Sequence, residues 1–285
     1  MPWCASSPHH ITAIFIPHES TSLLGTGSVG AGLAVEPRFR VCLPGSDPAP
    51  TGTAERAARL LQMPGSRGLY TVPLPPAKGY AVSAASAVAV ALAGVNVTGR
   101  KTGVVEALQA AHKAEVLERT GLGDVLAISC GIGLVLRLTP GAPGVGRVEC
   151  IPLPRSVSVL SLEAEGSMWT GELLADEYLR RGAETAAAAL RRVFEERSLE
   201  AFAEEATSYT RAMRLARRLF GRATGALDRV PGLIGYYSKK LVTIVMVEAD
   251  RSLDAAEALS KIGGTRLRLL MPSERGVEVW WDYGA

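Results

Sequence analysis

The stretch from Pro73 to Leu92 reads PLPPAKGYAVSAASAVAVAL, a turn-rich loop that runs directly into a segment of Ala, Val and Ser. Proline and glycine favour a turn in its first part, whereas the small apolar residues of its second part favour a tightly packed helix from Val82 to Leu92. Small side chains in the first helical turns let an anion approach the free N–H groups and the positive end of the helix dipole. The stretch therefore predicts a phosphate site, with an alanine-rich helix packed closely on a sheet as the alternative interpretation.

Two serines and a lysine refine this prediction. Ser83 and Ser86 lie in the first turns of the predicted helix and offer hydroxyl oxygens to a phosphate or to a bound Mg²⁺. Lys78 and Gly79 precede the helix but lack the G-x-x-x-x-G-K-[ST] order of a Walker A loop. A phosphate site here is therefore of another type.

A second candidate region is a helix predicted from Thr102 to Arg119, followed by the glycine-rich turn Thr120 to Asp124. An apolar stripe at helical spacing continues into Glu115, with His112 beside it. A buried carboxylate needs a partner, so Glu115 lies either in a functional cleft or in a salt bridge with Arg or Lys. Asp124 is a candidate catalytic base, and the alternative is that it caps its own turn.

Alternating and turn residues predict the other elements of the first half. They are strands at Ile11 to Pro17, Gly32 to Leu43 and Gly68 to Leu74, a loop at Pro44 to Gly52, a helix at Thr53 to Gln62, and a hairpin of Gly133 to Thr139 with Val145 to Leu153. The segment Asp124 to Ile128 is expected to continue the helical packing layer.

The second half predicts two β-α-β units. Its elements are a strand at Ser156 to Leu162, helices within 171–220, a strand at Lys239 to Glu248, a helix at Ser252 to Ile262, and strands near 265–271 and 277–282. This order predicts a ferredoxin-like α+β sandwich. With 285 residues the chain exceeds the usual single domain, and we expect two domains, residues 1–154 and 155–285.

Composition narrows the functional classes. A net charge of +3, from 31 basic and 28 acidic residues, gives little support to nucleic-acid binding. The sequence has no long uninterrupted apolar run and no export signal at its N-terminus, so we expect a cytoplasmic protein that does not cross a membrane. The four cysteines lack metal-ligand spacing and are predicted to be buried structural thiols. His9 and His10 are expected to be exposed near the terminus.

One further motif, Gly25-Thr26-Gly27-Ser28-Val29-Gly30-Ala31-Gly32, matches G-x-G-x-x-G. A dinucleotide-binding turn must lead from a strand straight into a helix, and Pro37 prevents a helix after Gly32. The sequence favours a flexible loop or a glycine turn that faces the substrate, and a dinucleotide oxidoreductase remains the weaker alternative.

The order of these motifs resembles that of the GHMP kinases. Pro75 begins P-x-x-x-x-G-Y-A-V-S-A-A-S-A, a helix then carries Ala111-His112-Lys113-Ala114-Glu115, and Thr120-Gly-Leu-Gly-Asp-Val125 follows. Within this superfamily, the segments Phe15 to His18, Gly27 to Gly32, Thr120 to Val125 and Pro140 to Gly144 are most similar to the archaeal pantoate kinases. The resemblance covers roughly residues 11–154.

The resemblance implies an α+β fold, with an N-terminal domain like domain 2 of ribosomal protein S5 and a C-terminal ferredoxin-like domain. It implies ATP and Mg²⁺ as cofactors, a small-molecule substrate, pantoate, and a homodimer. Ser83 or Ser86 with Glu115 would hold Mg²⁺, and Asp124 would face the substrate hydroxyl. The residues implied to hold ATP are Pro75, Lys78, Gly79, Tyr80, Ala81, Val82, Ser83, Ala84, Ala85 and Ser86.

Two departures from the family pattern limit what the resemblance predicts. Many GHMP kinases carry a lysine in their N-terminal motif, whereas the first lysine here is Lys78 and His18 occupies the matching position as a second catalytic candidate. The third, glycine-rich motif has only Gly263-Gly264 or Gly232-x-x-Gly235 as candidates. Another small alcohol (shikimate, homoserine or mevalonate) and a non-catalytic nucleotide-binding role therefore remain alternatives, and Arg38, Arg40, Arg67 and Arg155 are candidates to bind the substrate carboxylate.

Overall fold

A long antiparallel hairpin of β1 (Trp3–His18) and β2 (Gly27–Asp47) forms the base of the fold. It belongs to a computed structural model that describes residues 2–99, 101–168, 182–262 and 266–282. The sequence predicts both strands but makes them too short, because the polar residues before Ile11 do not alternate with apolar ones. In the structure Ser6, Ser7, His9 and His10 are all buried within β1. The expectation that the two histidines are exposed is therefore wrong.

The glycine-rich segment Gly27 to Gly32 is the beginning of β2 and not a loop. A Cβ atom at Gly30 would lie 2.5 Å from the carbonyl oxygen of Ile14, and one at Gly32 would lie 2.4 Å from that of Ile11. The close approach of β1 thus explains the glycines, and their interpretation as a flexible or substrate-facing turn is corrected. No helix follows them before Gly52, which also removes the dinucleotide-binding alternative.

Four helices pack on this hairpin: α1 (Gly52–Leu60), α2 (Val82–Val97), α3 (Val104–Leu117) and α4 (Asp124–Cys130). The most apolar of them is α2, which packs directly on β1 and β2 and is in turn covered by α1 and α3. Its alanines allow this close packing, as the sequence predicts. No helix in the described part of the chain is long and apolar enough to cross a membrane.

The remaining strands of the first half extend the sheet around β2. The short strand β3 (Gly68–Thr71) pairs with β2, as does β4 (Leu134–Thr139), which forms the predicted hairpin with β5 (Arg147–Ile151). In the pairing of β4 with β2, Arg137 lies opposite Gly30. This register brings an arginine over the glycine-rich part of β2.

The second half has the predicted ferredoxin-like topology. Its strands β6 (Val157–Glu163), β7 (Leu233–Lys239), β8 (Val242–Glu248) and β9 (Arg266–Pro272) lie in the order β9-β6-β8-β7, all antiparallel. Its helices are α5 (Ala183–Glu196), α6 (Leu199–Ala212), α7 (Leu215–Phe220) and α8 (Ser252–Ser260). The sequence predicts one strand from Lys239 to Glu248, whereas the structure has a tight turn at Lys240 (φ 52°), with β7 before it and β8 after it. Strand β7 is therefore missed by the sequence. The predicted helical residues 171–181 lie outside the described residues.

Two strand pairings join the halves into one continuous sheet. Strand β9 pairs with β2 at Val35 and Glu36, and β10 (Glu278–Trp281) pairs with the beginning of β1. The last strand of the chain thus completes the edge next to the first strand. Residues from both halves consequently meet along the sheet.

The four cysteines form two disulfides, Cys4–Cys42 and Cys130–Cys150. The first joins directly paired residues of β1 and β2, and the second joins the end of α4 to β5. The prediction of buried free thiols is therefore corrected. Spacing along the sequence contained no signal for these pairs, because strand register alone brings Cys42 opposite Cys4.

Candidate active site

The loop before α2 presents the N-terminus of that helix to a pocket. Helix α2 begins at Val82, and its N-cap residue Ala81 has left-handed backbone geometry (φ 53°) and no capping side chain. Gly79 (φ 126°) also has a positive φ, which favours glycine at this position. The N–H groups of the first helical turn are thus left without an acceptor from the N-cap side chain, as an anion site requires.

Residues from both halves of the chain line this pocket. The N-terminal half contributes the loop itself, the beginning of α2, and the turn before α4, whereas the C-terminal half contributes the turn between β7 and β8. The lining residues are Ala77, Gly79, Tyr80, Ala81, Val82, Ser83, Ala84, Thr120, Asp124, Lys239 and Lys240. Six of the ten residues implied to hold ATP therefore line one pocket together with Asp124, and Ala85 and Ser86 continue the same helix.

Asp124 is the first residue of α4 and is held by three residues from two strands, β1 and β7. Its Oδ1 atom lies 2.8 Å from His10 Nδ1 and accepts a hydrogen bond from the Thr12 hydroxyl at 3.2 Å, both from β1. Lys239 Nζ at the end of β7 donates to Oδ1 at 3.3 Å and to Oδ2 at 3.4 Å. Because an ionised carboxylate only accepts hydrogen bonds, His10 must carry its proton on Nδ1.

The charges around Asp124 keep it ionised. Burial by itself raises the pKa of Asp124, but Lys239, His10 and Arg137 outweigh it and hold the pKa well below its ordinary value. Burial also lowers the pKa of His10 to about 4, so this imidazole is neutral near pH 7. Asp124 is therefore a carboxylate of fixed orientation in the pocket at the beginning of α2, where it can accept a hydrogen bond from a hydroxyl.

The turn before Asp124 brings a second carboxylate close to it. A Cβ atom at Gly121 would lie 2.2 Å from Glu115 Oε1 and 3.2 Å from Asp124 Oδ2, so both carboxylates converge over this glycine. Any larger residue at Gly121 would displace one of them. The glycines of the Thr120 to Asp124 turn are thus required by the site.

Glu115 has the surroundings of a metal ligand. Its side chain is 1% exposed, Oε2 accepts a hydrogen bond from the Val125 N–H at 3.3 Å, and Oε1 has no partner among the described residues. Burial, and then the charge of Asp124, raise the pKa of Glu115. No Arg or Lys in the described ranges forms an ion pair with it, so the geometry favours the cleft interpretation over the salt bridge. A divalent cation would satisfy the unpartnered oxygen.

His112 lies beside Glu115 and has a defined tautomer. Its Nε2 atom is 2.9 Å from the Thr26 carbonyl oxygen and 3.2 Å from that of Leu23, so Nε2 carries the proton and donates. Nδ1 is then an acceptor, 4.0 Å from Glu115 Oε2 and without a partner in the described part of the chain. Burial lowers the pKa of His112, which keeps the ring neutral.

His10, Thr12, Glu115 and Lys239 lie around Asp124, and these five residues are called the Asp124 cluster. Arg137 is a buried cation that contacts this cluster, and reasoning from the sequence missed it. Its Nη1 atom donates to the Thr12 hydroxyl at 3.2 Å, and its Nε atom has no partner among the described residues. A Cβ atom at Gly123 would lie 3.1 Å from that Nε atom and 2.5 Å from Ser28 Oγ. The guanidinium therefore lies directly behind the turn that carries Asp124.

The two candidate serines differ in their surroundings. Ser83 is half-buried and lines the pocket, whereas the Ser86 hydroxyl is buried, lies 2.7 Å from Thr51 Oγ1 and donates to the Ser83 carbonyl at 3.0 Å. His18 is exposed at the end of β1. Within the described ranges, the hydrogen-bond partners of Asp124 are His10, Thr12 and Lys239, and His18 is not one of them.

The four arginines considered for the substrate carboxylate lie elsewhere. Arg38 is buried and donates to Ser6 and to the carbonyl oxygens of Arg275 and Gly276. The other three have surface positions: Arg155 pairs with Glu274, Arg67 donates to the Ser46 carbonyl, and Arg40 lines an open groove with Arg38 and Arg155. Among the described residues, none of the four hydrogen-bonds to Asp124 or to a residue that contacts it.

Known proteins resemble this chain in sequence and in fold. No family model matches the sequence. A pantoate kinase of Thermococcus kodakarensis is 29% identical over 210 residues, which cover 59% of this chain and 68% of that protein.

Solved structures show the fold. A structure described as a phosphotransferase related to the CoA biosynthesis pathway covers 100% of both chains with a TM-score of 0.83 and 21% identity. The Methanococcus jannaschii mevalonate kinase covers 95% of this chain and 98% of its own, with a TM-score of 0.67 and 10% identity. The fold is thus that of the GHMP kinases, and the resemblance recognised in the sequence is confirmed.

Proposed function

We propose that this chain, which has the fold of the GHMP kinases, transfers the γ-phosphoryl group of ATP to the primary hydroxyl of pantoate. The product is 4-phosphopantoate, an intermediate of coenzyme A biosynthesis. The observation that carries the proposal is the position of Asp124, an ionised carboxylate held at the mouth of a pocket whose other wall is the open N-terminus of α2. A group that can bind phosphate, the N-terminus of α2, is thereby next to a carboxylate that can accept a hydrogen bond from a hydroxyl.

The chemistry of phosphoryl transfer matches these groups. The transition state spreads negative charge over the equatorial oxygens, and catalysis consists mainly of positioning and electrostatic stabilisation. The loop and the first turn of α2, residues 77–86, would hold the phosphates through backbone N–H groups. Asp124 would accept the hydrogen bond of the substrate hydroxyl and orient its oxygen for in-line attack.

Magnesium would be held by Glu115 with Ser83. Glu115 Oε1 is buried and has no partner in the described residues, and Ser83 is the serine that lines the pocket. When bound, Mg²⁺ would offset the negative charge of the phosphates. Ser86 is the matched control, because its hydroxyl already contacts Thr51 and the Ser83 carbonyl. We expect Ser83→Ala to raise the Mg²⁺ concentration needed for half-maximal rate about tenfold, and Ser86→Ala to change it less.

Arg137 is our candidate for the substrate carboxylate. It is the arginine of the described residues that contacts the Asp124 cluster, and its Nε donor is unpartnered. A guanidinium binds a carboxylate through two parallel hydrogen bonds, which a lysine cannot reproduce. A substrate that carries a carboxylate near its reacting hydroxyl, such as pantoate, fits this pair of groups.

The proposal is tested by a coupled ADP-release assay with ATP, Mg²⁺ and one alcohol at a time. We expect turnover with pantoate to exceed that with homoserine, mevalonate and shikimate by at least about 10²-fold in kcat/KM, because a site built around a buried polar partner rejects analogues that leave it unpaired. Faster turnover of another alcohol would overturn the assignment of pantoate as the substrate but leave the kinase function standing. ADP release that is the same with and without every alcohol would overturn both.

A matched pair of variants tests the carboxylate site. Arg137→Lys should raise the KM for pantoate by about 10- to 100-fold, whereas Arg155→Lys, at an exposed pair with Glu274, should leave it unchanged. An unchanged KM in Arg137→Lys would remove Arg137 from substrate binding.

A further inference from the structure

The described N-terminal half leaves the phosphate site without a cation of its own. Lys78 precedes α2, but its Nζ atom donates to the carbonyl oxygen of Ala164 at 2.6 Å, and Lys78 does not line the pocket. Arg137 is buried behind the Asp124 turn and does not line the pocket. A triphosphate that binds there would meet backbone dipoles and hydroxyls from this half, but no lysine or arginine side chain.

The C-terminal half supplies the missing charge through the turn between β7 and β8. Both lysines of this turn, Lys239 and Lys240, line the pocket. Lys239 is the last residue of β7, and its side chain is only 11% exposed. Its ammonium group contacts both Asp124 oxygens, and Lys239 and Asp124 line the same pocket.

Backbone contacts fix the turn between β7 and β8 on the loop before α2, and this sets the position of Lys239. The Leu241 N–H donates to the Lys78 carbonyl at 3.1 Å, and the Ala164 N–H donates to the Leu241 carbonyl at 2.8 Å. A Cβ atom at Gly79 would lie 2.8 Å from the Lys239 carbonyl oxygen, which explains a glycine at this point of contact. The backbone of Lys239 thus packs directly against the loop that would hold the phosphates.

We propose that Lys239 contacts the phosphoryl group during its transfer and stabilises the negative charge that develops on it. The inference rests on the kinase function proposed above and adds the residue that performs this role. An ammonium group has three donors, and the two Asp124 oxygens take at most two, so a donor remains for a phosphate oxygen. A side chain from the C-terminal half would thereby replace the N-terminal lysine that this sequence lacks.

The position of Lys239 also fits the sequence of events in transfer. The same ammonium contacts the group that accepts the hydroxyl proton and the space where the phosphoryl group would sit. As the alcohol attacks, negative charge grows on the transferred oxygens, and a fixed cation at contact distance stabilises that state more than the bound ATP. Its loss should therefore appear in kcat more than in the KM for ATP.

The test compares Lys239→Met, Lys239→Gln and Lys239→Arg with the unmodified full chain in the ADP-release assay. Lys261→Met is the surface control, because Lys261 is exposed and, among the described residues, pairs with Glu257 of the preceding helix α8. We expect Lys239→Met to lower kcat about 10²- to 10³-fold, as loss of one stabilising donor does in other sites, with the KM for ATP changed by less than about fivefold. Lys239→Arg should recover kcat to within about tenfold of the unmodified chain, because the charge is retained.

Lys239→Gln keeps the result interpretable if Lys239→Met does not fold. Its amide still donates to Asp124 but carries no charge, so a purely structural role predicts near-normal kcat, whereas the proposed role predicts a loss like that of Lys239→Met. A folded Lys239→Gln or Lys239→Met with kcat within about threefold of normal would overturn the role of Lys239 and leave the kinase function standing. An unmodified chain that releases no ADP with any alcohol would overturn the kinase function, and this inference with it.

Discussion

Replacement of Asp124 by asparagine separates a catalytic carboxylate from a structural one. The amide has nearly the same shape, but it removes the charge that contacts Lys239 and lies near Arg137, and it cannot take up a proton. General-base catalysis contributes about 10²- to 10⁴-fold to a rate, so kcat should fall within that range while the KM for ATP changes little.

The same change should cost stability, and the structure sets the scale. The Asp124 and Lys239 side chains are each 11% exposed, which makes their contact a buried ion pair. Removal of one partner of such a pair costs about 3 to 5 kcal/mol, because the other charge stays buried. Loss of the Asp124 charge relieves Glu115, whose pKa it raises, so we expect a value toward the lower end. For a chain of this size the melting temperature should fall by roughly 5 to 10 °C.

The assay measures kcat at about 25 °C, well below the lowered melting temperature, together with the circular dichroism spectrum. Asp228→Asn is the matched control, since Asp228 pairs with Arg211 at a half-exposed position far along the sequence and should change neither quantity by much. A folded Asp124→Asn protein that melts early but keeps kcat within about threefold of normal would refute the catalytic assignment. Asp124 would then be only the centre of an ion-pair network.

Three further predictions concern the metal, the disulfides and the nucleotide. Because burial and Asp124 raise the pKa of Glu115 above its ordinary value of 4.5, protonated Glu115 favours the folded state, and the metal-free protein should lose stability as pH rises through that raised value. Melting curves in EDTA between about pH 5 and pH 8 should show a melting temperature that falls as pH rises. Glu115→Gln should weaken this pH dependence, and an equal pH dependence in the variant would assign it to another group. Replacement of Cys4 and Cys42 or of Cys130 and Cys150 by serine should cost about 4 and about 3 kcal/mol, from loops of 38 and 20 residues, in denaturant unfolding without reductant. Costs below about 1 kcal/mol would show that the pair is not bonded in solution. ATP with Mg²⁺ should raise the melting temperature, whereas NAD should not, and an equal shift with NAD would argue against the kinase site.

Local sequence signals predicted the helices and much of the site. The change from a Pro/Gly loop to an Ala-rich segment at Val82 marks the start of α2, and the proposed anion site lies at that helix N-terminus. The out-of-pattern carboxylate Glu115 is buried as its place on the apolar stripe requires. The glycine-rich turn that ends at Asp124 likewise indicates this residue as a candidate in the sequence. These signals lie within a few residues of the features they predict.

The partners of these residues could not be predicted, because strand pairing brings them from distant parts of the sequence. His10 and Thr12 reach Asp124 from a β1 strand whose first residues show no alternation, and Arg137 enters through the register of β4 against β2. Lys239 was read as the start of a strand, although it is the end of one and the beginning of a turn. Only the pairing of β7 with β8 decides between these two interpretations.

The C-terminal half shapes the phosphate site as well as contributing to it. The Tyr80 hydroxyl donates to Glu163 at 2.8 Å, and Arg268 in turn pairs with Glu163, so the loop residue just before α2 is tied to β6 and β9. Tyr80 is buried, and the left-handed residue Ala81 follows it directly. A strained backbone of this kind persists only where its surroundings hold it. The proposed anion site of the first half therefore depends on the packed second half, whose turn between β7 and β8 also contacts the loop at Lys78 and Gly79.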